Sequence, residues 1–153
     1  MEFDTIGIDL GKTVFHLVGM NRSGEVLVRR KFSRTQLLRF TANLRARLIG
    51  MESCGGSHFL GRSLRDQGHE GRLMPAQYVK PYVTTNKNDY IDAEAIAEAV
   101  GRANIRFVPI KSDEQLDMQS LHRVRDRWVA PMKNRPPENV SAAHSPEVFQ
   151  RLP

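Results

Sequence analysis

Thr5-Ile6-Gly7-Ile8-Asp9-Leu10 alternates strictly, with Ile6, Ile8 and Leu10 on one side and Gly7 and Asp9 on the other. That is the period-two pattern of a strand with one apolar face, and it carries an acid near its end. Gly11-Lys12-Thr13 turns the chain, Val14 to Met20 returns as a second strand, and Asn21-Arg22-Ser23-Gly24 turns it again into a third, Glu25 to Phe32. The fold therefore opens with three antiparallel strands.

Downstream the period changes. Ser33 with Gln36 three residues on is a capping box. Leu37, Leu38, Thr41, Leu44 and Leu48 follow at helical spacing, predicting a helix over about 34–47. Leu48 to Glu52 reads as a short strand, again ending in an acid, and Ser53-Cys54-Gly55-Gly56 as a tight turn into a helix that stops at Gly68. His69 to Met74 completes five strands. Three antiparallel strands followed by alternating helices and strands predict an α/β mixed sheet flanked by helices. In such sheets sites lie beyond the carboxyl ends of strands, where Asp9 and Glu52 both fall.

Asn88-Asp89-Tyr90-Ile91-Asp92-Ala93-Glu94-Ala95-Ile96-Ala97-Glu98-Ala99-Val100 reads as the next helix. At helical pitch Asp89 and Asp92 share a stripe with Ile96, Ala99, Val100 and Ala103, while Glu94, Glu98 and Arg102 fall on the opposite face at i, i+4 spacing. Burying carboxylates is unfavourable unless they are hydrogen-bonded, paired or bound to a cation, so the pair reads either as metal ligands or as the acidic first turn of a capped helix. The connection before it, residues 75–88, carries two tyrosines, Tyr78 and Tyr82, two lysines, Lys80 and Lys87, and no acid. Aromatics interleaved with bases suit stacking and phosphate contacts, and equally suit a loop whose tyrosines pack on the sheet.

After Gly101, Ile105 to Ile110 reads as an edge strand interrupted by Pro109, and Asp113 to about Trp128 as a polar helix. Five of the eight prolines fall in the last 23 residues, a composition that predicts disorder. The expected organisation is a domain over 1–110, a helical extension over 111–128 and a proline-rich tail, 129–153, that is disordered or frameshifted.

A chain of 153 residues, 40% hydrophobic and 26% charged, suits one globular domain with extensions. No apolar run approaches the roughly 18 residues of a bilayer span, and the N-terminus shows no secretory signal, so a cytoplasmic location without a membrane is expected. The single cysteine, Cys54, excludes an internal disulfide and a thiolate-cluster zinc site, and reads as packing; the five histidines show no ligand spacing. A net charge of +6 points to a polyanion, nucleic acid first. Asp9, Glu52, Asp89 and Asp92 are then oxygen donors of the kind that hard divalent cations take, and two such ions roughly 3.5 to 4 Å apart can act on a phosphodiester.

Ile6-Gly7-Ile8-Asp9-Leu10-Gly11-Lys12, Met51-Glu52-Ser53-Cys54-Gly55 and Lys87-Asn88-Asp89-Tyr90-Ile91-Asp92-Ala93 together resemble the three acidic motifs of the DEDD insertion-sequence transposases, the IS110 group with its site-specific DNA invertases. The resemblance covers about residues 4–128. It implies a RuvC-like, ribonuclease H type fold, with Asp9, Glu52, Asp89 and Asp92 as the catalytic, metal-holding tetrad for two magnesium ions, for which manganese can substitute. It also implies DNA as partner, a structured guide RNA in the members that encode one, and a homo-oligomer when active. Lys87 matches a family position, and Tyr78, Lys80 and Lys87 are the nucleic-acid-binding candidates. Family members carry a C-terminal domain with a serine nucleophile; the likeness fades after Trp128, as a frameshift or premature truncation would produce, and no serine is assigned.

Two other readings stand beside it. One is a non-catalytic nucleic-acid-binding remnant or regulator of the element. The other starts from Ile6-Gly7-Ile8-Asp9-Leu10-Gly11-Lys12-Thr13, which is also similar to the first phosphate motif of the actin and sugar-kinase ATPases. That reading calls for a second lobe and a glycine-rich adenosine motif, for which a chain of this length has no room.

Overall fold

The computed structural model describes residues 2–82 and 89–133, with only the backbone described at Asp89 and over 131–133. The elements in chain order are strands β1 (Glu2–Leu10), β2 (Phe15–Met20) and β3 (Val26–Phe32), helix α1 (Arg34–Thr41), strand β4 (Arg45–Glu52), helix α2 (Ser57–Asp66), strand β5 (Gly71–Met74) and the short helix α3 (Ala76–Val79). A 3-10 turn at Lys80–Tyr82 and helices α4 (Asp89–Val100) and α5 (Asp113–Lys133) follow. The five strands form one mixed sheet in the order β3-β2-β1-β4-β5. β1 and β3 each pair antiparallel with β2, whereas β1 with β4 and β4 with β5 are parallel.

Alternation along each strand sends its side chains to two different cores. Ile6, Ile8, Phe15, Leu17, Ile49, Met51 and Leu73 pack with Leu37 of α1 and with Leu60 and Leu64 of α2. On the other face, Leu48 and Met74 pack with Ile96, Ala99 and Val100 of α4, while Val18 and Met20 meet Ala93 and Ala97. Fully burying each large aliphatic side chain contributes roughly 1.5–3 kcal/mol, so the sheet is held from both sides.

The seat of α4 is set by two glycines. Gly7 and Gly50 are partners in the β1–β4 register. A Cβ at Gly7 would stand 2.0 Å from the carbonyl oxygen of Ala93 and 2.4 Å from the Ala97 nitrogen; one at Gly50 would stand 2.8 Å from Val100 Cβ. The helix thus rests directly on the strand backbone, and alanines at 93 and 97 are what that approach admits. The buried face of α4 is accordingly broader than the expected stripe: Ala93, Ala95, Ile96, Ala97, Ala99 and Val100 are all buried, and Asp92 is half-buried at its margin. Glu98 pairs with Arg102 at 2.7 Å as the i, i+4 spacing suggests, while Glu94 reaches Arg29 of β3 at 2.7 Å.

Several boundaries differ from the expected ones. α1 ends at Thr41 rather than near Arg47, and β4 begins at Arg45 rather than Leu48. Glu2 and Phe3 of β1 pair with Arg45 and Ala46, and Arg47 forms two hydrogen bonds with Asp4, at 2.7 and 2.8 Å. Strand pairing thus overrides a helical spacing that ran on through Leu44 and Leu48. That guanidinium holds the Asp4 carboxyl below its ordinary range. In place of an edge strand over 105–110 there is one antiparallel bridge, Val108 to Leu73, whose amide donates to the Leu73 carbonyl at 2.7 Å. Pro109 has no amide hydrogen with which to extend a ladder.

The expected capping box is present: Ser33 Oγ accepts from the Gln36 amide at 3.4 Å and Gln36 Oε1 accepts from the Ser33 amide at 2.9 Å. Ser33→Ala is expected to lower stability by about 1 kcal/mol, read as a lower urea midpoint at unchanged slope.

Two compact units divide the chain, the first ending at Ser112 and the second starting at Asp113. In the second, α5 continues five residues past Trp128, through Pro131 to Lys133, so the start of the expected tail is helical; residues 134–153 lie outside the described residues. Among the described residues no helix is long and apolar enough to cross a membrane.

Candidate functional site

Asp9 is the penultimate residue of β1 and Glu52 the last of β4. The register pairs Ile8 with Met51, so the next residues, Asp9 and Glu52, are neighbours. Two residues beyond Gly7 and Gly50, both face α4.

The course of α4 brings a third acid to them. Gly101 lies against Thr5, whose Cγ2 would be 3.6 Å from a Cβ there, and Ala97 and Ala93 lie against Gly7. The helix therefore runs back along β1: four residues of helix advance about 6 Å and two of strand about 6.6 Å, so its first turn arrives at Asp9. Asp92 is half-buried in that turn. Asp89 begins the helix; its side chain, like all of Lys87, lies outside the described residues.

The electrostatics tie the three described acids together. Burial raises the Glu52 carboxyl above its ordinary value, the negative charges of Asp9 and then Asp92 raise it further, and Lys80 opposes them. Because the folded state binds this proton more tightly than the unfolded chain, Glu52 favours folding less as pH rises from about 4.5, its ordinary value, through its raised one. Glu52→Gln is therefore expected to be more stable than the parent near pH 7 and to lose that advantage below about pH 4, as thermal unfolding across pH would show.

His16 is a residue that spacing in the sequence did not mark. The antiparallel register places it opposite Asp9, its Nδ1 lies 3.9 Å from Asp9 Oδ2, and its ring meets the Tyr90 ring edge-on at 5.1 Å between centroids. It forms one wall of the acidic site. Lys80 is exposed on the 3-10 turn. Tyr78 is elsewhere: it lines a groove of about 450 Å³ with Gln77, Pro81, Tyr82, Arg102 and Ile105. There the Arg102 guanidinium lies 5.7 Å from the centre of the Tyr82 ring. Among the described residues, no three histidine, cysteine, aspartate or glutamate side chains are grouped so as to hold a metal ion.

Three motifs in order, on a mixed sheet with its acids at one end, now meet the known proteins. The DEDD IS110 family model, described as a transposase, matches residues 6–135. This chain belongs to that transposase family. The transposase for insertion sequence element IS1328 of Yersinia enterocolitica is 47% identical over 124 residues, which are 81% of this chain and 37% of the relative. The probable family 20 transposase of Pseudomonas aeruginosa is 47% identical over 129 residues, 84% of this chain and 38% of the relative. This chain thus spans little more than a third of the length of these relatives. T. thermophilus RuvC, solved in complex with a Holliday junction substrate, superposes with a TM-score of 0.50 at 12% identity, over 67% of this chain and 98% of RuvC. The sheet of this transposase-family chain is RuvC-like, of the ribonuclease H type.

Proposed function

We propose that this chain supplies the acidic, metal-holding part of a DNA strand-processing site, with Asp9, Glu52, Asp89 and Asp92 as ligands for a divalent cation, magnesium with manganese as substitute. The observation that carries the reading is the placement of Asp9 and Glu52 at the carboxyl ends of adjacent parallel strands with Asp92 in the facing first turn of α4, where burial first and then the charges of Asp9 and Asp92 raise the Glu52 carboxyl. The donor set fits such a cation in its chemistry: it is made of carboxylate oxygens, the hard ligands that magnesium prefers, and half-buried acids, two of which raise the carboxyl of the third, call for a compensating positive charge. A bound divalent ion would supply Lewis-acid stabilisation of the charge that develops on a phosphodiester.

The chain's own residues do the rest. Asp9 and Glu52 are fixed by strand pairing, Asp92 by the seating of α4 on Gly7, and the His16 ring restricts where the Asp9 carboxylate can turn. Lys80, exposed beside Glu52, is placed to meet a phosphate that approaches the acids. The transposase relatives and the junction-bound RuvC support DNA as the polymer. The test is magnesium-dependent nicking of DNA that carries an insertion-sequence end, by the parent and by Asp9→Asn; nicking in the parent alone supports the reading, and equal nicking ends it.

A second reading, DNA binding without the reaction, is favoured by the missing three-ligand group among the described side chains. It requires salt-sensitive DNA binding that is the same with and without magnesium and unaffected by Asp9→Asn.

A further inference from the structure

At the end of the sheet that bears the acids, but on its opposite face, a cavity of about 250 Å³ is lined by Leu10, Lys12, Phe15, Arg34, Cys54 and Phe59, with Gly11, Gly56 and Leu60 completing it. Its floor is apolar: Phe15 and Leu60 are buried. Its rim is cationic, because Lys12 and Arg34 are exposed and no carboxylate is among the lining residues. Phe59 projects from the first turn of α2, 45% exposed, and the Arg34 guanidinium lies over its ring at 5.5 Å from the centroid. The turn below the rim is fixed, as Ser57 Oγ donates to the Cys54 carbonyl at 2.8 Å and accepts from the Cys54 amide at 3.1 Å. Beside it, Cβ atoms at Gly55 and Gly56 would meet nothing within 4 Å.

We propose that this cavity receives one unpaired nucleotide of the DNA strand whose neighbouring phosphate lies at the acids, its base against Phe59 and its phosphates on Lys12 and Arg34. The assignment rests on the DNA reading above and adds to it a preference for single-stranded or locally opened DNA. Three features select this occupant. The volume lies just below the roughly 300 Å³ at which pockets for drug-sized ligands begin, which suits one base rather than a larger ligand. An exposed aromatic ring on a rim that also carries cations is the arrangement by which proteins hold single strands, base on ring and phosphate on charge; a duplex keeps its base faces stacked and offers none to Phe59. Continuity supplies the third: Leu10 follows Asp9, and Cys54 stands two residues after Glu52, so one strand can pass from the acids over the sheet end into the cavity.

The only cysteine of the chain lines this cavity and is exposed, so it reports on occupancy. The experiment is the rate of Cys54 alkylation by N-ethylmaleimide in metal-free buffer, without DNA and with a single-stranded oligodeoxynucleotide, its duplex, and RNA of the same sequence, alongside the affinity of each. The expected result is protection by single-stranded DNA in proportion to occupancy, with little by duplex. Phe59→Ala should bind single strands about tenfold more weakly, with duplex binding unchanged, and lose the protection, while Phe59→Trp retains both. The Trp variant guards against a fold effect. Single-stranded DNA bound without protection, equal protection by duplex, or protection by RNA alone would overturn the proposal. If the parent binds no DNA either without or with magnesium, the functional reading falls and takes this one with it; if the parent nicks DNA and Phe59→Ala binds single strands as the parent does, only the cavity assignment falls.

Discussion

Gly7→Val is expected to leave the chain unable to fold stably, and Gly7→Ala to lower its stability by about 3 kcal/mol or more, measured by urea unfolding. Added atoms in a close-packed core usually cost about 1–3 kcal/mol because side chains can give way. At Gly7 they cannot, because the atoms 2.0, 2.4 and 3.0 Å from the added Cβ all belong to the backbone of α4. Relief requires the helix to lift from the sheet, and Ile96 and Val100, each contributing roughly 1.5–3 kcal/mol when buried, would lose their contacts. Against a total of about 5–15 kcal/mol for a domain, that is a large share of the stability. Gly24 is the control. It has a φ of 81° with nothing within 4 Å of an added Cβ, so Gly24→Ala is expected to cost only about 1 kcal/mol, from the backbone conformation alone. A Gly7→Ala variant as stable as Gly24→Ala would show that α4 does not rest on the strand as described.

Asp9→Asn is the second large effect. The asparagine is isosteric and its site is half-exposed, so the fold is expected to persist with a melting temperature equal to or above that of the parent. Removing the Asp9 charge also removes one of the forces that raise the Glu52 carboxyl, which should titrate nearer its ordinary value. Affinity for divalent cations should fall at least about 100-fold, since even residues that only support a ligand are worth 10- to 100-fold. Nicking of DNA should disappear with it. Manganese-dependent nicking, compared with thermal unfolding of the same samples, separates loss of the site from loss of the fold; a stable variant that nicks like the parent contradicts the assignment.

What could be read in the sequence and what could not divide along a physical line. The alternation of Ile6, Ile8 and Leu10, the turns before β2 and β3 and the Ser33–Gln36 box are local signals, and the first three strands and the start of α1 stand close to where those signals put them, though α1 stops short at Thr41. The first residues of β4 are not local. Arg45-Ala46-Arg47 becomes strand because Glu2, Phe3 and Asp4 lie alongside, and no period within that stretch announces a partner forty residues away. The acids at positions 9 and 52 were legible from strand ends, and the family from three spaced motifs. The reason Asp92 arrives beside them was not, because it depends on two glycines in register across strands. His16 was likewise invisible until the hairpin register set it opposite Asp9.

The central claim is that four carboxylates act together on one divalent centre. Calorimetric titration of magnesium and manganese into the DNA-free protein at pH 7.5, for the parent and for Asp9→Asn, Glu52→Gln, Asp89→Asn and Asp92→Asn, tests it most directly. Binding is expected in the parent, and at least about tenfold weaker binding in each of the four variants. Heats that are the same in all five proteins, or that are lost only with Asp9 and Glu52 and not with the two aspartates of α4, would contradict it.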